Sequence, residues 1–187
     1  MSDPYGYDSP DLKNLGDDVR IDRGTGKFRN VGEYIFKVWY ERTHIGTLED
    51  DDDWLDRPNR VRFDIKRLGN FDASILRRQT HIRINAGILD KGLPRMERTG
   101  IPTFLVLIFG NDFSIYSTPL EVAEKNQKPF DGDEHTDRPT VHVATNIFAP
   151  MGTLIGDDIR KGVNLFLVTT DPRPATNEMR KYPGGWR

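Results

Sequence analysis

The chain has 187 residues, no cysteine, 30% charged residues and a formal net charge of −2. This length suits one domain with a real hydrophobic core, and the absence of thiols excludes disulfides and thiolate zinc sites. The longest apolar run, residues 101–109, is too short to cross a membrane, and the acidic first residues lack the pattern of a secretory signal. We therefore expect a cytoplasmic protein with no membrane partner.

Proline and glycine are frequent at both ends of the chain, where large aliphatic residues are few. This composition predicts an extended N-terminal arm over residues 1–30 and an irregular C-terminal tail over residues 169–187. Residues 31–168 would then form a single α/β domain between two arms.

The first regular element lies within residues 32–45, GEYIFKVWYERTHI, which are rich in aromatic and β-branched side chains. That composition is typical of a long strand. A helix is equally compatible with the pattern, because Ile35, Val38 and Trp39 have the i, i+3, i+4 spacing of one helical face. Both interpretations stay open.

The next element, RVRFDIKRL at residues 60–68, alternates between apolar and charged side chains from Val61 to Lys66. Alternation with a period of two predicts a strand, since successive side chains point to opposite faces. One face would carry Val61, Phe63 and Ile65, and the other would carry Arg62, Asp64 and Lys66.

The middle of the chain combines helix, loop and strand signals. Asp72 is a plausible N-cap for a short helix that carries Ile75 and Leu76. Glycines and prolines at positions 92, 94 and 100–102 predict loops. The continuously apolar residues 103–109 predict a central strand covered on both faces.

A hairpin is expected after this strand, with residues 110–112 in the turn and residues 113–117 in the returning strand. The segment PLEVAEKNQ then reads as a short helix, and TVHVAT and NLFLVTT (residues 164–170) read as strands. Hairpins and helical crossovers together predict an α/β (α+β) fold, with a mixed sheet and flanking helices.

The charged face of the strand at residues 60–68 has the residue types of a metal-dependent phosphodiesterase. Asp64 and Lys66 are two apart and share a face, and aspartates at positions 50–53 and 56 lie just upstream. A divalent cation held by carboxylates lowers the pKa of a bound water and neutralises developing charge. A lysine beside it can position that water or stabilise the charge.

These residues resemble the PD-(D/E)XK nuclease superfamily, in which an aspartate is followed by (D/E)-x-K on a strand. Here the pattern would be Asp53 or Asp56, followed by Asp64-Ile65-Lys66. The segment VGEYIFKVW resembles the Gly-Glu segment that often lies on a helix before the site. Residues 100–122 are similar to the apolar strand and hairpin that follow it, and residues 140–159 to a closing segment in nuclease-like domains of bacterial defence systems.

The resemblance covers residues 31–160 and implies a restriction-endonuclease-like core with an Mg²⁺- or Mn²⁺-dependent activity on DNA. It implies Asp53, Asp64 and Glu33 as metal ligands, and Asp53, Asp64 and Lys66 as the catalytic residues. Basic residues near the site would hold the nucleic-acid backbone, namely Arg62, Arg67, Arg77 and Arg78.

A second interpretation needs no catalysis. The row of Arg62, Asp64 and Lys66 also suits a solvated strand face with cross-strand ion pairs. On this interpretation the chain is a structural or assembly protein, for instance a component of a phage particle, whose terminal arms contact neighbouring copies in a homo-oligomer.

Overall fold

The structure, a computed structural model, describes residues 19–129 and 140–171. The described residues form two compact units, the first from residues 19–48 and 153–171 and the second from residues 49–129 and 140–152. The domain that the sequence predicts over residues 31–168 therefore includes parts of both units. No helix in the described part of the chain is both long enough and apolar enough to cross a membrane.

The secondary structure is mixed, as the sequence predicts. The helices are α1 (Val31–Thr43), α2 (Ile75–Arg78), α3 (Gly87–Thr99), α4 (Leu120–Lys125) and α5 (Gly156–Thr169). The strands are β1 (Val19–Asp22), β2 (Phe28–Asn30), β3 (Leu48–Asp51), β4 (Asp53–Asp56), β5 (Val61–Leu68), β6 (His81–Asn85), β7 (Thr103–Phe109), β8 (Ser114–Pro119), β9 (Gln127–Pro129), β10 (Thr140–Ala144), β11 (Ala149–Thr153) and β12 (Thr170–Asp171).

The first unit combines helices α1 and α5 with a small sheet in the order β12-β1-β2. Residues 19–30, which the sequence places in an extended arm, form two strands of this sheet, and β1 pairs antiparallel with both β2 and β12. The rest of the predicted arm and tail, residues 1–18 and 172–187, lies outside the described residues.

Residues 31–43 are helical, which decides between the two interpretations of this segment. The Asn30 side chain caps α1 by accepting a hydrogen bond of 3.2 Å from the backbone amide of Glu33. Ile35, Phe36 and Trp39 are buried on one side of the helix. Helical spacing of apolar residues therefore prevails over their high strand propensity.

Helix α5 replaces the strand that the sequence predicts at residues 164–170, so this prediction is wrong. The buried side chains Ile159, Val163 and Phe166 are spaced by four and three residues, as on one helical face. Short apolar runs such as NLFLVTT fit a buried strand equally well, and only the residues upstream distinguish the two.

The second unit is built on a mixed sheet in the order β11-β8-β7-β5-β4-β3. Strands β5 and β7 are parallel, whereas β4 pairs antiparallel with β5 and β7 pairs antiparallel with β8. The predicted strand at residues 60–68, the central strand at 103–109 and the hairpin after it are all confirmed.

One side of this sheet packs on helices and on a second sheet. Leu105, Leu107 and Phe109 of β7 belong to a buried cluster with residues of α3 and α4. The cluster also contains Ile82, Ile84 and Val143 from a three-stranded sheet in the order β6-β10-β9. The predicted strand TVHVAT and the predicted helix PLEVAEKNQ are confirmed within this layer.

Helix α3 runs through Gly92 and Pro94, where the sequence predicts loops, so this prediction is wrong. An internal proline costs a helix about 3 kcal/mol, and the burial of Ile88 and Leu89 in the core offsets this cost. Gly92 packs closely against Leu120, because a Cβ there would lie 2.3 Å from Cδ2 of Leu120 and this side chain would have to shift. The predicted loop at Gly100 is confirmed, and this residue ends the helix with a φ of 63°.

The short helix after Asp72 is also present, although it begins two residues later than a cap at Asp72 implies. The helix, α2, starts at Ile75, and Ser74 occupies the N-cap position. The Asp72 carboxylate accepts a hydrogen bond of 2.8 Å from the Ser74 amide, so it shapes the turn that leads into the helix.

Candidate active site

The candidate site lies on neighbouring strands β4 and β5. Their antiparallel register sets Trp54 opposite Phe63, and Leu55 opposite Arg62. Continued by one residue, this register sets Asp53 opposite Asp64. Directly opposed residues have their side chains on the same face, with Cβ atoms about 5 Å apart. The two carboxylates therefore come from separate segments and meet on one face of the sheet.

The register selects Asp53 from the aspartates that the sequence leaves as alternatives. Asp52 has a φ of 68° and forms the tight turn between β3 and β4. Asp51 pairs with Arg62. Asp56 is fully buried and accepts hydrogen bonds from the backbone and side-chain amides of Asn59, at 3.0 and 2.8 Å. These aspartates thus have structural contacts of their own.

Two cations lie against the carboxylate pair. The Nζ of Lys66 is 3.0 Å from Oδ1 of Asp64. Arg95, which projects from α3, donates a hydrogen bond to Oδ2 of Asp53. The four side chains are between 13% and 21% exposed, so the cluster is largely desolvated and still open to solvent.

The ionisation of Asp53 reflects this environment. Burial raises the pKa of its carboxyl above the ordinary value, and the negative charge of Asp64 raises this pKa further. The positive charges of Arg95 and Lys66 oppose the shift. The two carboxylates repel each other in this partly desolvated site, and the paired Lys66 and Arg95 offset that repulsion.

The residues of this sheet face, and Arg95 of α3, include several buried polar atoms that have no hydrogen-bond partner within the described residues. They are Nε and Nη1 of Arg62, Nε of Arg95 and the hydroxyl oxygens of Thr103 and Thr118. The register connects these residues to the site, since Thr103 lies opposite Arg62, and Leu105 lies between Asp64 and Thr118. Buried polar groups without a protein partner are typical of places where water or a ligand binds.

The third predicted acid, Glu33, lies on α1 in the first unit, where it pairs with Nη1 of Arg29 at 3.2 Å. Among residues 19–129 and 140–171, no group of three or more histidine, aspartate or glutamate side chains could hold a metal ion. A pair of carboxylates still suits Mg²⁺, which retains several waters and is often bound by one or two carboxylates together with substrate phosphates. Asp53 and Asp64 fit such a site.

The predicted basic residues occupy different environments. Arg62 is 1% exposed, so it is buried rather than on the surface, on the same face of β5 as Asp64. Arg67 is three residues after Asp64 on β5, and the uninterrupted pairing of β5 with β7 places it on the opposite face. Arg77 and Arg78 are exposed on α2. The structure therefore does not bring these four residues together.

Three residues of this region were not predicted from the sequence: Arg95, Thr103 and Thr118. The sequence does not predict the helix that carries Arg95, because Gly92 and Pro94 are typical of loops. Thr103 begins the apolar strand β7, and only the register of the finished sheet relates it to Arg62. A helical interpretation of residues 87–99 would have revealed this residue, since Arg95 lies seven residues after Ile88 and therefore on the same helical face.

No protein-family model matches the chain, and the searches of curated proteins and of solved structures likewise found no match.

Proposed function

We propose that this chain is a metal-dependent nuclease of the PD-(D/E)XK type that hydrolyses phosphodiester bonds in DNA. The observation that carries the proposal is the juxtaposition of Asp53 and Asp64 on adjacent strands, with Lys66 beside them. Other features that the resemblance implies are compatible with it: Glu33 lies on a helix, and an apolar strand and hairpin follow the site.

In this proposal Asp53 and Asp64 would hold Mg²⁺ or Mn²⁺ next to the scissile phosphate. The bound cation would lower the pKa of a coordinated water and neutralise charge on the phosphate. Lys66 would orient the attacking water and stabilise the charge that develops on the phosphate oxygens. Water adds to phosphorus and one P–O ester bond breaks, which leaves a phosphate monoester on one fragment and a hydroxyl on the other.

Arg95 has a positioning role in the proposed site. Its guanidinium donates a hydrogen bond to one carboxylate oxygen of Asp53, and the other oxygen would be available to the cation. Because Arg95 comes from α3, it connects the site to the hydrophobic core through Ile88 and Leu89 on the same helix. This connection would hold the carboxylate in one orientation.

Cleavage of DNA by purified protein tests the proposal. We expect the wild-type chain to cut plasmid or oligonucleotide DNA when Mg²⁺ or Mn²⁺ is present and to stop when EDTA is added. Asp64→Asn and Lys66→Ala should each reduce the cleavage rate by about 100-fold or more, because the first removes a ligand of the cation and the second removes a positive charge that stabilises the transition state.

Two exposed residues provide matched controls, Asp90 on α3 and Lys125 on α4. Asp90→Asn removes a carboxylate and Lys125→Ala removes an amine, and both variants should retain the wild-type rate within about twofold. The proposal fails if the wild-type chain cuts no nucleic acid with either cation, or if Asp64→Asn and Lys66→Ala cut as fast as the controls.

The alternative of an assembly protein depends on the terminal arms. Most of their length, residues 1–18 and 172–187, lies outside the described residues. No observation within the described part of the chain favours this alternative.

A further inference from the structure

A cleft of about 710 Å³ lies in the second unit, at the carboxyl ends of the parallel strands β5 and β7. Its walls are the turn before α2 with α2 itself, the β7-β8 turn with the start of β8, and residues 145–148. Every residue that lines it belongs to the described part of the chain. This volume is in the range of ligand sites, and such sites are often built from the loops that follow parallel strands.

The lining combines aromatic rings with polar side chains. The rings belong to Tyr116 and Phe148. Tyr116 is half-buried and packs edge-on against Phe109, with the ring centres 5.9 Å apart. Arg77 and Asn146 contribute a guanidinium and an amide from exposed positions. Rings that stack on a base, and an amide that both donates and accepts hydrogen bonds at its edge, are the groups that recognise unpaired bases.

Two carboxylates also line the cleft, and both are held by hydrogen bonds. Asp72 accepts one of 2.8 Å from the backbone amide of Ser74. Asp112 accepts one of 2.9 Å from the amide of Ala73, which connects the β7-β8 turn to the turn before α2. These carboxylates outnumber Arg77, the one cationic residue of the lining. An uncharged base therefore fits the cleft better than a group of phosphates does.

The cleft lies on the same face of the sheet as the candidate active site. The register sets Lys66 opposite Leu107 and Leu107 opposite Tyr116, so these side chains form one row across β5, β7 and β8. Neighbouring strands are about 4.8 Å apart, which places the backbones of Lys66 and Tyr116 roughly 10 Å apart. A stacked nucleic-acid strand covers this separation in about three nucleotides, since its rise is about 3.4 Å.

We propose that this cleft binds an unpaired base of a nucleic-acid strand that lies across the candidate active site. The strand is the substrate of the proposed nuclease function, on which this proposal rests. Tyr116 or Phe148 would stack on the base, and Asn146 would form hydrogen bonds with its edge. Arg77 would contact the phosphate next to that base. The cleft would favour DNA with an unpaired nucleotide, because no energy is spent on pulling such a base out of a duplex.

Fluorescence anisotropy tests this preference with a labelled DNA duplex that contains one unpaired adenine and with the same duplex fully paired. EDTA is present throughout, so that neither metal binding nor cleavage contributes. We expect wild type to bind the duplex with the unpaired base about tenfold more tightly, because stacking of a base on an aromatic ring contributes on this order. Arg77→Ala/Asn146→Ala should lose most of this preference, because it removes the polar contacts.

The matched control is Lys125→Ala/Gln127→Ala, which removes one positive charge and one amide from exposed positions that do not line the cleft. This variant should keep the wild-type preference. Tyr116→Leu removes the ring but keeps an apolar side chain against Phe109, and it should lose the preference as well. Circular dichroism shows whether each variant is folded, and the substitutions at exposed positions decide alone if Tyr116→Leu is not.

The proposal is overturned if wild type binds both duplexes equally, or if the two double variants show the same preference. Binding of free deoxyadenosine monophosphate as tightly as the unpaired base in DNA would assign the cleft to free nucleotides and overturn it too. Asp64→Asn should keep the preference. A chain that cuts DNA without the preference refutes the cleft alone, and a chain with the preference that cuts nothing refutes the nuclease alone, so the two proposals fail separately.

Discussion

At the scale of single residues, Asp22 shows how one carboxylate organises a turn. Its Oδ1 accepts hydrogen bonds from the backbone amides of Gly24 and Thr25, at 2.8 and 2.9 Å. Its Oδ2 accepts a hydrogen bond of 2.7 Å from the hydroxyl of Tyr34 on α1. Burial alone would raise the pKa of Asp22, but these hydrogen bonds outweigh burial and hold the pKa below its ordinary value.

This lowered pKa predicts a pH-dependent stability contribution. A carboxyl whose pKa is lower in the folded state stabilises the fold above its unfolded pKa, and the contribution is lost as the pH falls through the folded pKa. Asp22→Asn should therefore reduce the free energy of unfolding by about 1–2 kcal/mol at pH near 7. The difference from wild type should shrink in acid.

Urea denaturation of both proteins at neutral and at acidic pH measures this difference. Asp90→Asn, at an exposed position of α3, controls for the loss of one negative charge. An equal loss of stability at both pH values would show that the charge of Asp22 is not what stabilises the turn.

At the scale of elements, the close approach of α1 and α5 depends on Gly162. A Cβ at this position would lie 2.5 Å from Cα and 2.8 Å from the backbone nitrogen of Ile35. A backbone cannot yield as a flexible side chain can, so the glycine lets the two helices of the first unit pack in contact.

Gly162→Ala should therefore destabilise the protein by about 1–3 kcal/mol through overpacking. The higher helix propensity of alanine would by itself stabilise the protein by about 1 kcal/mol. The sign of the change in stability therefore shows whether overpacking or helix propensity dominates. Asn164→Ala, at an exposed position two residues along the same helix, is the control and should be neutral or slightly stabilising. Thermal unfolding followed by circular dichroism measures both, and a stabilised Gly162→Ala variant would contradict the packing.

The elements also show how far the sequence predicts the structure. Strand β5 was predictable because its alternation is strict over several residues. Helices α3 and α5 were not, because Gly92 and Pro94 carry loop signals and residues 164–170 form a short apolar run. In both helices, burial against the rest of the unit decides the conformation, and a local pattern cannot reveal this burial.

At the scale of the whole molecule, the candidate site needs three elements of the second unit to come together. The sequence predicts that Asp64 and Lys66 share a face, because this follows from the period of a strand. It leaves the partner aspartate open, because the choice depends on the register that the turn at Asp52 imposes on β4. The sequence does not predict that Arg95 joins the site, because this depends on how α3 packs against the sheet. That packing leaves no local pattern in the sequence.

The central claim is that Asp53 and Asp64 together bind a divalent cation. Electron paramagnetic resonance tests it most directly, because the signal of free Mn²⁺ falls when the ion binds protein. Wild-type protein should take up one Mn²⁺ per chain, and Mg²⁺ should displace it, whereas Asp53→Asn/Asp64→Asn should leave the free signal unchanged. A wild-type chain that takes up no Mn²⁺, or a double variant that binds the ion as wild type does, would contradict the account.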